Sequence, residues 1–172
     1  AQQQLFDRLM KDIVQLEIEG FSILVARAMA NDLNDEISSV AHKMREFLTP
    51  DGLVLLVSTR QGIRLVARST TDNVDMAQLA IRFGGGGHRR ASSALIREEG
   101  RSDATVTDAK LSEVVQRVIE FIPRIVTPSI KVGQMMSLNP LTLSPDISAA
   151  DAAELMKRYG FEGYPVIDGG KV

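Results

Sequence analysis

The chain has 172 residues and a mass of 18.8 kDa, which allows one full domain or one domain and part of another. Its 44% hydrophobic and 24% charged residues exclude a disordered tail, a collagen-like repeat and a simple coiled coil. The absence of cysteine excludes a disulfide scaffold, a thiolate zinc site, an iron–sulfur cluster and a cysteine nucleophile, and the net charge of -2 excludes a global field for polyanions.

In chain order, Leu5, Phe6, Leu9, Met10, Ile13 and Leu16 recur at helical spacing, predicting a helix over 3–18 that Gly20 ends. Residues 21–29, a compact apolar run, predict a strand. Asn31–Asp35 reads as a polar loop, and Ile37, Val40, Ala41, Met44, Phe47 and Leu48 place a helix over 36–48. Pro50-Asp51-Gly52 is a turn signal. Two runs rich in Val, Leu and Ile, 53–59 and 63–69, flank Arg60-Gln61-Gly62 and predict a hairpin. A short helix over 75–83, four glycines, a strand over 91–97, a charged turn at Glu98–Asp103 and a helix over 108–122 complete the series. The expected fold is α/β: a mixed sheet flanked by helices.

Pro123–Pro128 reads as a linker, after which the pattern restarts. Leu141–Leu143 and Tyr164–Ile167 are strand-like. Ser148 with Asp151 three residues on starts a helix that Gly160 ends. The expected division is a leading helix or linker over 1–19, a main domain over 20–126 and a partial domain over 127–172. Met29, Met44, Met76, Met135, Met136 and Met156 are expected in cores. No apolar run reaches the length of a membrane span, and Ala1 to Leu5 lacks the basic start of a secretory signal. The chain reads as part of a longer, cytoplasmic protein.

Charge is unevenly placed. Between Arg60 and Arg97 stand seven arginines against Asp72 and Asp75, a local excess of five positive charges on an otherwise acidic chain. Such segregation points to an anion site. Within it lies Gly84-Gly85-Gly86-Gly87-His88-Arg89-Arg90. Four glycines in a row cost chain entropy, and a folded protein keeps them where backbone approaches something closely or takes positive φ. Bare amides, imidazole and guanidinium together suit a phosphate. A Walker loop is excluded because no Gly-Lys-Ser/Thr follows a strand, and a dinucleotide fingerprint because a helix precedes the run.

Val66-Ala67-Arg68-Ser69, Asp75 opening a helix, and then Gly84–His88 before a small-residue strand resemble the C-terminal domain associated with DHH-family phosphoesterases, over about residues 20–125. The resemblance implies that Arg68, Gly84, Gly85, Gly86, Gly87 and His88 hold the phosphate or base of a nucleotide substrate, with Arg89 and Arg90 adding charge. The family's His-x-x-Ala-Ala-Gly ending is here His88-Arg89-Arg90-Ala91-Ser92-Ser93. Val132–Met136, Leu141–Asp146 and Gly163–Asp168 are similar to the first half of a CBS domain, a module that works in pairs and often binds adenine nucleotides. The combined order resembles bacterial tRNA nucleotidyltransferase/poly(A) polymerase-like proteins. It implies an RNA or oligonucleotide 3′ end as partner, tRNA included, and an adenine nucleotide at the CBS region. It also implies an upstream DHH domain holding two Mn²⁺ or Mg²⁺ ions. His42 and His88 are the only histidines here, no D-H-H or D-x-D run occurs, and His42 reads as a helix-surface residue. The chain by itself is therefore expected to hold no cofactor and to hydrolyse no phosphodiester, its role being that of a nucleic-acid-binding accessory region. The alternatives are an adenine-nucleotide-sensing or scaffolding region, or part of a stand-alone DHH exonuclease or oligoribonuclease.

Overall fold

The computed structural model describes residues 2–30, 37–97 and 106–171, which form two compact units, Ala1–Ser129 and Ile130–Val172. The polar loop expected at Asn31–Asp35 and the charged turn at Glu98–Asp103 lie outside the described residues.

In the first unit the chain runs α1 (Gln2–Lys11), β1 (Ile13–Ile18), β2 (Phe21–Met29), α2 (Ile37–Leu48), β3 (Gly52–Thr59), β4 (Gly62–Ser69), α3 (Met76–Arg82), β5 (Gly86–His88), β6 (Ala91–Ile96) and α4 (Asp108–Phe121), closing with a 3₁₀ turn at Ile122–Ile125. The six strands form one mixed sheet in the order β1-β2-β3-β4-β6-β5. β2 and β3 are parallel, joined through α2, whereas every other neighbouring pair is antiparallel. Alternation sorts the side chains to two faces. Ile23, Val25, Val54, Leu56, Leu65 and Ala67 meet α3, α4 and the 3₁₀ turn on one face. Leu24, Ala26, Leu53, Leu55, Val57 and Val66 meet α1 and α2 on the other. β3, covered on both faces, is buried along its whole length, as its unbroken apolar run predicts.

Two expectations need correction here. The helix predicted over 3–18 stops at Lys11, and Ile13–Ile18 is a strand. Ile13 and Leu16 fit helical spacing, but Glu19 and Gly20 take φ of 53° and 83°, a two-residue hairpin turn with both centres left-handed, and this pairs Ile18 with Phe21. Nor is α1 a leader ahead of the domain: Leu5 and Leu9 are fully buried against the α2 face, so the first 19 residues belong to the unit.

The second unit holds α5 (Val132–Met135) and α6 (Ala149–Tyr159). Ser148 caps α6, its Oγ accepting from the Asp151 N–H at 3.1 Å, and Gly160 ends the helix at φ 69°. The two short strands expected there reduce to one bridge, Leu143 to Val166. Met135, Met136 and Met156, read as core, are exposed; so short a unit encloses no buried side chain among its described residues.

Candidate nucleotide-phosphate site

The glycine run is built from two kinds of local structure. Asp75 caps α3, its Oδ1 accepting from the Ala77 and Gln78 N–H groups. At the other end of that helix Gly84 takes φ 77°, the Gly84 N–H reaches the Ile81 carbonyl at 3.1 Å and the Gly85 N–H the Ala80 carbonyl at 2.8 Å. Gly86–His88 then pair with β6 as the edge strand. The open nest of amides expected from the sequence is therefore not formed: the first two amides serve the helix end and the rest lie in a strand. A Cβ on Gly85 would stand 2.1 Å from the Ser93 carbonyl oxygen, and one on Gly87 2.6 Å from that of Ala91, so both glycines are required by contact with β6. Gly86 differs: nothing lies within 4 Å of the Cβ it lacks, and its φ is not left-handed.

Register aligns the remaining predicted residues. Arg68 pairs with Ala91, and Ala91 with His88, so the three form one row across β4, β6 and β5 and project from the same face. Two strand spacings separate Arg68 from His88, about 10 Å between Cα atoms. In the next row Val66, Ser93 and Gly86 align, and Arg64 follows beyond Val66. This face continues the one that α2 covers over β3, but here it is open. Ala91, Ser93 and Gly86 give it a low floor, with Arg68 and His88 rising at either side.

Beside Arg68 the floor meets a cleft of about 540 Å³ lined by Arg45, Thr49, Arg68, Ser69, Thr70, Arg90 and Ala91. Arg45 comes from the last turn of α2. Among the described residues Arg68 has no acidic partner; its Nη1 donates to the Ala67 carbonyl at 2.9 Å. Burial first, and the charge of Arg45 second, hold its guanidinium below the usual arginine value. Two like charges converge there with no counterion among the described residues, an arrangement that favours a bound anion.

The turn arginines are differently employed. Arg90 Nε contacts Asp72 Oδ1 at 2.8 Å, and Arg89 Nε lies 3.3 Å from Asp75 Oδ2. That hydrogen bond, and then the charge behind it, hold the Asp72 carboxyl below its ordinary range and Arg90 above its own. The turn itself is fastened by backbone bonds from the Ser69 N–H to the Arg90 carbonyl and from the Met76 N–H to the Arg89 carbonyl, both 2.9 Å. Ser92, which departs from the family's pattern, points to the helix face and donates to the Met76 carbonyl at 2.5 Å. Of the residues singled out in the sequence, Arg68 and Arg90 line the cleft and His88 shares its row, while Gly84, Gly85, Gly87 and Arg89 support from behind. Arg45 and Thr49 were missed, since nothing in a helix's polar positions says which strand they will face. His42 lies on the surface of α2, 3.0 Å from Glu46. Among the described residues no three of His, Asp and Glu are grouped as metal ligands. Nor is any described helix long and apolar enough to cross a membrane.

Residues 132–172 match the CBS domain family. The fold is shared with an exopolyphosphatase-related protein from Bacteroides fragilis, at a TM-score of 0.51 and 13% identity, covering 72% of this chain and 36% of that one. The resemblance of the tail to a CBS domain is thus matched by a family model over residues 132–172. Among curated proteins it is similar to the A-adding tRNA nucleotidyltransferase of Geobacter sulfurreducens, 31% identical over 165 residues, and to that of Aquifex aeolicus, 22% identical over 161. These alignments cover 96% and 94% of this chain, and the chain spans 18% of the length of either relative.

Proposed function

We propose that this chain is the nucleic-acid-holding accessory region of a tRNA nucleotidyltransferase/poly(A) polymerase-like protein, and that its groove receives an RNA or oligonucleotide 3′ end. The observation that carries the reading is the uncompensated pair Arg68 and Arg45 at a cleft that opens onto a floor of Ala91, Ser93 and Gly86. The guanidiniums take a phosphate, since a planar cation with several N–H donors matches phosphate oxygens. His88, two strand spacings away in the same row, reaches the next sugar or base, which lies flat over the small residues. Recognition rests on phosphate and backbone approach rather than on stacking, because the groove carries no aromatic side chain among its described lining residues. The alignment with A-adding nucleotidyltransferases supports tRNA as the source of that end. The chain's own residues hold and orient; any metal-dependent bond cleavage belongs to other parts of the parent protein.

The test is an NMR titration with a trinucleotide of adenylate at two salt concentrations. Shifts are expected from Arg68 to Ser93 and at Arg45, with affinity on the order of 10⁻⁴ M to millimolar that falls as salt rises. Silence over those residues, with shifts elsewhere, overturns the reading. A second reading concerns the CBS match: an adenine nucleotide bound by residues 132–172. Calorimetry with ATP and AMP on the same chain tests it, and absence of heat from both counts against it.

A further inference from the structure

A second group of arginines, two of them without an acidic partner among the described residues, stands on the opposite face of the sheet. Where α3 ends and α4 gives way to the 3₁₀ turn, Arg82, Arg117 and Arg124 surround Phe83 and Phe121 around a cleft of about 150 Å³. Arg82 and Arg124 each lie 5.9 Å from the Phe121 ring centroid, and Arg117 lies 5.5 Å from that of Phe83. Phe83 is buried in the core and Phe121 packs against it, so the rings are fixed supports. A guanidinium stacked on a ring keeps its plane while its N–H edge stays open to an acceptor. Among the described residues Arg82 and Arg124 have no acidic partner. Arg117 is 3.9 Å from Glu113, whose carboxylate is held by Lys110 at 2.8 Å. One acid, Glu120, lines the cleft, and it accepts from Gln116 Nε2 at 3.1 Å.

The covalent path between this cluster and the Arg68 groove is short. Arg82 closes α3, and six residues later His88 stands on the groove's face. Between them Gly84–Gly87 form the exposed rim of the sheet, with β5 as its edge strand. The rim has no side chains above Cα, and at Gly86 neither φ nor packing accounts for the missing Cβ. A bare rim joining two cationic clefts suits a flexible polyanion that passes from one face to the other.

We propose that the Arg82–Arg117–Arg124 cleft is a second contact for the phosphodiester backbone of single-stranded RNA, taking phosphates of the strand whose end lies in the Arg68 groove. The proposal rests on the groove reading. It adds that the strand crosses the glycine rim, and that Gly86 is kept free of a side chain for this passage.

The test compares the trinucleotide with a single-stranded RNA of about fifteen nucleotides, a length within the usual footprint of single-strand binders. Fluorescence anisotropy on the 172-residue chain is followed over a salt series. The longer RNA is expected to bind at least about tenfold tighter and with a steeper salt dependence. Arg82→Gln combined with Arg124→Gln should remove that gain. The slope of log affinity against log salt should fall by about 1.4, the value for two phosphate contacts on a single strand, with trinucleotide binding unchanged. Arg82→Lys with Arg124→Lys keeps both charges and should keep most of the slope. The inference is overturned if the longer RNA binds no tighter than the trinucleotide, if the Gln pair leaves its slope unchanged, or if the Lys pair loses as much as the Gln pair. Equal weakening of both RNAs by the Gln pair overturns it as well. Loss of trinucleotide binding in the unaltered chain instead removes the groove reading, so the two failures are told apart.

Discussion

Arg68→Ala separates a binding residue from a structural one. In the folded chain Arg68 donates to one strand carbonyl, has no acidic partner among the described residues and stands near Arg45. The downward displacement of its guanidinium, caused first by burial and then by Arg45, means that folding disfavours its charge, so removing it relieves a desolvation cost and a repulsion rather than breaking a pair. The strand keeps its ladder with β3 and β6, and Ala suits a position flanked by Leu53 and Ala91. The change in stability should stay within about 0.5 kcal/mol, and its sign should favour the variant. Binding should respond in the opposite sense. A charge-assisted contact to phosphate contributes about 1.5–3 kcal/mol, which corresponds to about 10- to 100-fold in affinity. The assay is paired: thermal unfolding followed by circular dichroism, and the adenylate titration. A loss of stability above about 1 kcal/mol, a few degrees in Tm, would show that Arg68 holds the fold together. Unchanged affinity in a folded variant would falsify its role as the phosphate ligand.

Neighbouring glycines should behave oppositely: Gly85→Ala forces a Cβ into the Ser93 carbonyl and should cost about 1–3 kcal/mol in denaturant unfolding. Gly86→Ala should leave stability within about 0.5 kcal/mol, while Gly86→Val, which rises over the open floor, should weaken adenylate binding; equal destabilisation at both positions would contradict the geometry. Leu9→Ala should cost about 2–5 kcal/mol, because Leu9 is fully enclosed between α1 and the sheet, and a negligible effect would return the first helix to the status of a leader. Asp72→Asn frees Arg90 and should tighten phosphate binding a few-fold. Asp72 is held below the ordinary carboxylate range by Arg90, so whatever the pair contributes to stability is complete above that range and disappears as pH falls through it; the Asn variant should therefore show a flatter acid limb in a pH series of melting temperatures.

Periodicity carried most of this fold, and for definite reasons. β2 and β3 are largely apolar on both faces and β4 on one, so they stand out as short buried runs. β1 did not, since its exposed edge position leaves Val14, Gln15 and Glu17 in a pattern that helical spacing also fits. Neither did β5, because three residues beginning Gly-Gly carry no propensity for a strand and are paired only through β6. At the site, composition located the motif but not the employment of its parts. The arginine excess was visible, yet the pairing of Arg90 with Asp72 and Arg89 with Asp75 depends on the turn's position over α3. Arg45 reaches the cleft only because α2 returns antiparallel to the strands it connects, a tertiary fact no local window contains.

The sheet is three hairpins set side by side: β1–β2, β3–β4 and β5–β6. Each closes through a two-residue turn, so each is local in sequence and quick to form. Only the joins between them, β2 to β3 and β4 to β6, bring distant segments together. The row Arg68–Ala91–His88 straddles the second join, and one hairpin brings the guanidinium while the other brings the imidazole. The third hairpin is the smallest and lies at one edge of the sheet, so its opening dismantles the groove while the β1–β4 core stays closed. A strand of RNA laid across that row bridges the two hairpins, and the slowest-exchanging amides of β6 then become a gauge of whether the groove is occupied.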